Sequence, residues 1–342
     1  MAAMDLSKLD KKTLEVSRGF TYTYYTSPAK DSKPTLLLFH GWPDTARLWA
    51  GLINNYLVPN GYGVVALDNL GYGGTSKPTS LDAYAWNLMS TDVIEILDAE
   101  KISKVISVGH DWGSAICQRL YNFFPSRVSG VILVNVAYIP PSGNFDLDTT
   151  NKSTKETYGH GIYEYWHFFT ADDAPGIMAR NAESVYTVAH GDPHTWIENW
   201  TSPGGMRKYV TEGRTQPTLP YATADHKADF LERFGKDGSD FDAPSCWYKA
   251  FRWDVQNKAD KLVPEEAKII KVPVFFWGGE QDFVCRTDAL QANIDAGYLP
   301  HVKSVTRPGG HWALLEKPTE FGQDVLEWLR GTSLAIMTPW KI

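Results

Sequence analysis

Near-continuous apolar runs alternate with stretches of helical spacing along the first part of the chain. Residues 35–39 (T-L-L-L-F), 63–67 (G-V-V-A-L), 104–108 (K-V-I-S-V) and 130–136 (G-V-I-L-V-N-V) form the runs. Apolar runs this short that do not alternate with polar residues predict strands buried on both faces. Between the second and third runs, Trp86, Met89, Val93 and Ile96 recur every three or four positions, and residues 115–124 after the third run have a helix-like composition. Residues 14–17 and 20–26 predict an opening hairpin across Arg18-Gly19. Strands of this kind interleaved with amphipathic helices predict an α/β domain, a mostly parallel central sheet flanked by helices.

The rhythm stops near Ile139-Pro140-Pro141. The segment that follows is aromatic and irregular, rich in Gly, Pro and Trp, and carries only short helical patterns. Strand-like runs return at 272–277 and 302–306. A closing helix presents Phe321, Val325, Trp328 and Leu329 on one face. The pattern predicts a core in two parts, residues 1–139 and 258–342, interrupted by a mainly helical cap over 140–257.

Composition narrows the function more than the fold. With 342 residues, 43% of them hydrophobic and 21% charged, the chain has material for a large buried core. A net charge of −7 with no basic stripe argues against nucleic acid or an anionic membrane surface as partner. The N-terminal residues carry no apolar signal segment and no run reaches membrane-spanning length. The three cysteines, Cys117, Cys246 and Cys285, are too scattered for a disulfide framework or a zinc site. They read as reduced thiols, and the expected location is cytoplasmic. Asn151-Lys152-Ser153 and Asn199-Trp200-Thr201 match glycosylation sequons, which are read as chance matches. No His/Cys/carboxylate cluster has metal-ligand spacing and no G-x-G-x-x-G follows the first strand, so neither metal nor organic cofactor is expected.

The candidate chemistry sits at Gly109-His110-Asp111-Trp112-Gly113-Ser114, between a predicted strand and a predicted helix. Small residues two positions either side of Asp111 suit a strained strand-to-helix turn that exposes the central side chain, a nucleophile elbow. Serine is the usual occupant. A carboxylate there suits displacement at an sp³ carbon, with an alkyl ester of the enzyme as intermediate.

Four ordered motifs together resemble the α/β-hydrolase superfamily and, within it, the epoxide hydrolases, along nearly the whole chain. His40-Gly41-Trp42-Pro43 is similar to the family's H-G-x-P. Asp68 to Pro78 is similar to its D-x-x-G-x-G-x-S-x-P segment and is read as structural. The elbow follows, and then Gly278-Gly279-Glu280-Gln281-Asp282 and Gly310-His311-Trp312 close the series. The resemblance implies Asp111 as nucleophile, His311 as general base on water and Asp282 as the acid that orients the histidine, with Glu280 a nearby rival. It implies an oxyanion hole from the backbone N–H groups of Trp42 and Trp112, with Trp42–Pro43 a candidate cis bond. It also implies two cap tyrosines that supply acid to the leaving oxygen. Tyr163 in Y-E-Y-W-H-F is taken as the first, with Tyr165 as substitute, and Tyr248 in W-Y-K as the second. His40, Trp42, Trp112, Tyr165 and Trp166 are expected at the substrate. Trp166, Phe168, Phe169, Trp196 and Trp200 line an apolar pocket or form cap core.

These residues imply a small apolar epoxide and water as reactants. A haloalkane or haloacetate dehalogenase shares the nucleophile. The haloacetate enzymes' Y-W-H-W meets Phe168 here, and their acid after the preceding strand meets Asn135. A serine esterase or lactonase would need Ser114, beyond the elbow apex. A biosynthetic cyclase or isomerase, or a ligand receptor on the same scaffold, is the remaining alternative.

Overall fold

The computed structural model describes residues 4–337 apart from 236, 237 and 239. Eight strands form one sheet in the order β1-β2-β4-β3-β5-β6-β7-β8. Their bounds are β1 Asp10–Glu15, β2 Thr21–Ser27, β3 Thr35–Phe39, β4 Gly63–Leu67, β5 Val105–His110, β6 Val128–Val134, β7 Val274–Gly279 and β8 Val302–Arg307. The opening hairpin pairs antiparallel, and β2 also pairs antiparallel with β4. From β4 across to β8 every pairing is parallel.

Burial explains why these runs lack alternation. Every residue of β4, β5 and β7 is buried, because helices cover both faces of the sheet. The helices Trp86–Ala99 and Trp112–Phe123 pack side by side. On β7, Phe275 and Trp277 point to one face, where both meet the closing helix Pro318–Met337. Phe275 stacks on Trp328 with ring centroids 5.8 Å apart, and Trp277 meets Phe321 at 4.9 Å.

The elements match the expected order, and their ends differ for identifiable reasons. β1 starts at Asp10 rather than near Leu14, since it is an edge strand of charged and polar residues that carries no apolar signal. β6 stops at Val134 rather than at residue 136 because Asn135 takes a left-handed conformation, φ 63°, which ends the pairing. β5 runs on to His110 and so reaches the elbow directly.

Between β6 and β7 lies a long insertion, from the helix Leu147–Tyr158 to the helix Val255–Asp260. Among its described residues it is helical, with an isolated bridge between Gly191 and Thr218. The boundary expected at 257 falls inside its last helix. A buried arginine fastens both ends of the insertion to the core helix Trp112–Phe123. Arg119 grips Asp260 in a two-point fork, Nε to Oδ1 at 2.7 Å and a terminal nitrogen to Oδ2 at 2.9 Å, and donates to the Ile139 carbonyl at 2.7 Å. Among the described residues no helix is long and apolar enough to cross a membrane. Asn151 and Asn199, the two sequon asparagines, are buried.

Candidate active site

Asp111 sits where β5 turns into the helix Trp112–Phe123, with φ 54° and ψ −126°. A side-chain-bearing residue at such a positive φ is strained, by about 1–3 kcal/mol, and the surrounding turn must hold it there. The turn can tighten because Gly109 and Gly113 lack side chains. A Cβ on Gly109 would collide with the Gly113 carbonyl, and one on Gly113 with the Phe39 carbonyl. Ser114 is not free to act as a nucleophile. Its buried hydroxyl donates to the Gly109 carbonyl at 2.6 Å.

Three strand ends converge on the Asp111 carboxylate. After β3, the N–H of Trp42 donates to Oδ1 at 2.8 Å, in a loop whose Trp42–Pro43 bond is cis. After β8, Gly309 and Gly310 form a tight loop, and His311 directs Nε2 at Oδ2 from 3.6 Å. After β7, Asp282 accepts from His311 Nδ1 at 2.7 Å. The second oxygen of Asp282 takes the N–H groups of Val284 and Cys285, and Asn135 donates its side-chain amide to Oδ2 at 2.8 Å. Asn135 therefore supports Asp282. Glu280, the rival acid, is exposed.

The electrostatics follow from burial and neighbours. Burial pushes the Asp111 carboxyl up, against the opposing pull of His311 and the N–H groups of Trp112 and Trp42. Burial also works against charge on Asp282, yet His311, Asn135 and the Cys285 N–H hold its carboxyl below the usual range. For His311, desolvation disfavours the charged ring, but Asp282 and then Asp111 more than offset it and raise its pKa. Deeper in the fold, Asp44 accepts from the Trp312 indole at 2.9 Å, and burial lifts its carboxyl to about 6.

An apolar cavity of about 250 Å³ opens from Asp111 into the insertion. Of the residues expected at the substrate, Trp112, Tyr165 and Trp166 line it. His40 does not. Its Nδ1 donates to the Gly41 carbonyl at 2.8 Å and its Nε2 accepts the Asn69 N–H at 3.0 Å, so the buried ring braces the loop. The Trp42 indole also turns away from the cavity, into Phe169 at 4.8 Å and Trp200 at 5.9 Å, and only its backbone faces Asp111. Trp196 stands against His311, and Phe168 is buried under Arg207.

Tyr165, rather than Tyr163, faces Tyr248. Their rings lie 5.9 Å apart, and Trp200 and Phe169 pack behind Tyr165. Burial, with Cys285 and then Asp111 acting on Tyr165 and with Tyr165 and then Asp111 acting on Tyr248, holds both phenols well above the usual tyrosine pKa, so both stay protonated. Tyr163 lines the cavity but packs on Trp166 and Phe145.

Phe145, Phe251, Val284 and Cys285 also line the cavity. Two carried a sequence signal. Phe251 follows Tyr248 by three residues on the helix Asp242–Arg252, and so shares its face. Cys285 follows Asp282 by three. Asp111, Cys285 and His311 each present one atom within 4.8 Å of the others. They make a poor metal site, because burial beside Asp282 and Asp111 holds the thiol protonated, far above its usual pKa.

A family model described as alpha/beta hydrolase fold matches residues 34–318, and the chain belongs to that family. Among its curated relatives, mouse bifunctional epoxide hydrolase 2 is 26% identical over 313 residues, covering 87% of this chain and 52% of the relative. The chain thus spans about half the length of that mammalian protein. Epoxide hydrolase A of Mycobacterium tuberculosis is 26% identical over 330 residues, covering 88% and 92% of the two chains. A solved Vigna radiata epoxide hydrolase mutant superposes with a TM-score of 0.76 at 23% identity, over 95% of this chain and 99% of that one. These similarities agree with the resemblance read from the motifs, and the fold is the one it implied.

Proposed function

We propose that the chain is an epoxide hydrolase that opens an epoxide to a vicinal diol through an ester on Asp111. One observation carries the reading above the others. A buried carboxylate nucleophile, paired with a His–Asp couple, opens on an apolar cavity lined by Tyr165, and Tyr248, outside that lining, packs against Tyr165. The named relatives support it.

In the first step an Asp111 oxygen attacks one oxirane carbon from behind, and that carbon's bond to the ring oxygen breaks. The departing alkoxide takes a proton from the Tyr165–Tyr248 pair. These donors gain most as charge develops, so they lower the barrier more than they aid binding. In the second step His311 removes a proton from water, whose oxygen attacks the ester carbonyl. The N–H of Trp42, already on Asp111 Oδ1, and that of Trp112 receive the resulting oxyanion. On collapse the ester C–O bond breaks, the leaving alkoxide takes the proton of the added hydroxyl to complete the diol and restore the Asp111 carboxylate, and the proton on His311 returns to the phenolate. Asp282 holds the histidine tautomer throughout.

The raised pKa of His311 has a consequence for timing. In the resting site the Asp111 charge favours a protonated ring. Asp282 is the larger cause and stays, but esterification removes the Asp111 charge, so the ring holds its proton less tightly once there is an ester to hydrolyse.

The helical insertion acts as the cap, and Tyr165 takes the role first expected of Tyr163. Dehalogenation is not favoured, because the acid partner is Asp282 and the named relatives are epoxide hydrolases. The test is to incubate His311→Gln with styrene oxide and weigh the protein. A mass increase of one substrate on the peptide holding Asp111, absent from Asp111→Ala, supports the reading. Unmodified protein, from a parent that forms no diol, overturns it.

A further inference from the structure

The space around Asp111 is lopsided. On one side the cavity runs from Asp111 and Trp112 past Tyr138 and Phe145 to Arg286 and Ala289. The other side is filled. Trp42 packs on Phe169 and Trp200, Trp200 stacks on Trp196 with centroids 4.4 Å apart and planes at 19°, and Trp196 closes on His311 at 5.6 Å. All four of these aromatic residues are buried, and none of them borders the cavity.

The chemistry turns this asymmetry into selectivity. Attack from Asp111 and proton donation from Tyr165 and Tyr248 fix the direction of the breaking C–O bond. The two oxirane carbons then lie across that direction, and substituents on them point to opposite sides. Only one side has room. Building on the proposed function, we infer that the site takes terminal epoxides, with one uncharged apolar substituent on one carbon and only hydrogens on the other. At about 250 Å³ the cavity lies just below the roughly 300–1,000 Å³ range of ligand pockets, which fits an aryl or short alkyl group. Negative charge is excluded as well. Arg286 is the lining's cation, and Asp288 neutralises it through two contacts, at 2.7 and 3.2 Å, while its guanidinium covers the Tyr158 ring at 4.1 Å. An anionic substituent would find no free partner there and would be repelled by Asp111.

The test compares kcat/KM of the parent for styrene oxide and 1,2-epoxyhexane with trans-β-methylstyrene oxide and trans-stilbene oxide. The terminal pair is expected to be favoured at least about tenfold, the low end of what an added carbon costs in a closed pocket. Trp200→Ala, checked for folding by circular dichroism, should narrow that gap by opening the filled side. Ala289→Phe, on the open side, should depress styrene oxide turnover more than propylene oxide turnover. Equal rates for terminal and trans-disubstituted epoxides in the parent overturn the inference and leave the hydrolase reading standing. No diol from any of these epoxides overturns the hydrolase reading itself, and the inference with it.

Discussion

The two halves of the site are built differently. Asp111, Asp282 and His311 stand at the ends of β5, β7 and β8, positions that a parallel sheet brings to one edge regardless of surface detail. Tyr165 and Tyr248 come from the insertion, where no sheet sets register and aromatic packing alone positions each hydroxyl. The first half tolerates little sequence freedom and carries recognisable glycine-bounded turns. The second half is held by rings meeting rings, so neighbouring tyrosines can exchange roles when one aromatic contact changes. On the proposed reading, nucleophile and base are thus set by the sheet, while acid and substrate choice belong to the helical insertion.

The largest effects are expected in the half built on the sheet. Asp111→Ala should lower diol formation by roughly four orders of magnitude or more, since the residues of such a set act as a unit. His311→Gln should form the ester at near the parent rate and then stall. Stopped-flow tryptophan fluorescence separates the two phases. Loss of the first phase in His311→Gln would show that the histidine does more than activate water.

The join between the halves comes next. Asp260→Ala leaves Arg119 buried without its partner and should cost about 3–5 kcal/mol of stability, measured by urea unfolding. The loss should appear at both ends of the insertion, because Arg119 also holds the Ile139 carbonyl. A loss under 1 kcal/mol by the same measurement would mean the insertion is anchored elsewhere.

In the cap half, Tyr165→Phe and Tyr248→Phe should each slow ester formation by roughly one to three orders of magnitude, the range for losing a donor to developing charge. Tyr163→Phe should change it less than about threefold, as expected for a hydroxyl outside the reacting pair. Reversal of that order, with Tyr163 dominant, would restore the assignment expected from the Y-E-Y motif.

Much of this was legible in the sequence. Unbroken apolar runs marked the buried strands, and the glycines around Asp111 and before His311 marked turns too tight for side chains. The charged edge strand β1 was cut short because its partners in the sheet, not its own pattern, make it a strand. Tyr163 and Tyr165 are two residues apart in a turn ahead of the short helix Trp166–Phe169, where no periodicity says which ring faces inward. His40 looked like a substrate contact because it opens a catalytic motif. Its two hydrogen bonds to local backbone are visible only once β3 and the Asn69 loop are adjacent.

The smallest expected effect is a shift in titration. The charges of Asp282 and Asp111 raise His311 against the pull of burial, so its midpoint in the resting enzyme should lie above the ordinary value of about 6.5. Ester hydrolysis, which needs the neutral ring, is then lost as pH falls through the midpoint of the esterified state, which lies below the resting one because the Asp111 charge is gone. Asp111→Asn removes one of the two charges and should lower the midpoint. Histidine NMR titration reads both, and an unchanged midpoint in Asp111→Asn would remove the timing argument.

The covalent ester is the claim on which the rest depends, and a single turnover in heavy-oxygen water tests it most directly. With enzyme in excess over styrene oxide, water attacks the enzyme's own carbonyl. The label should therefore appear in an Asp111 carboxyl oxygen, and the first diol should be unlabelled. Label in that first diol and none on Asp111 would mean that water attacks the epoxide itself, and would contradict the account.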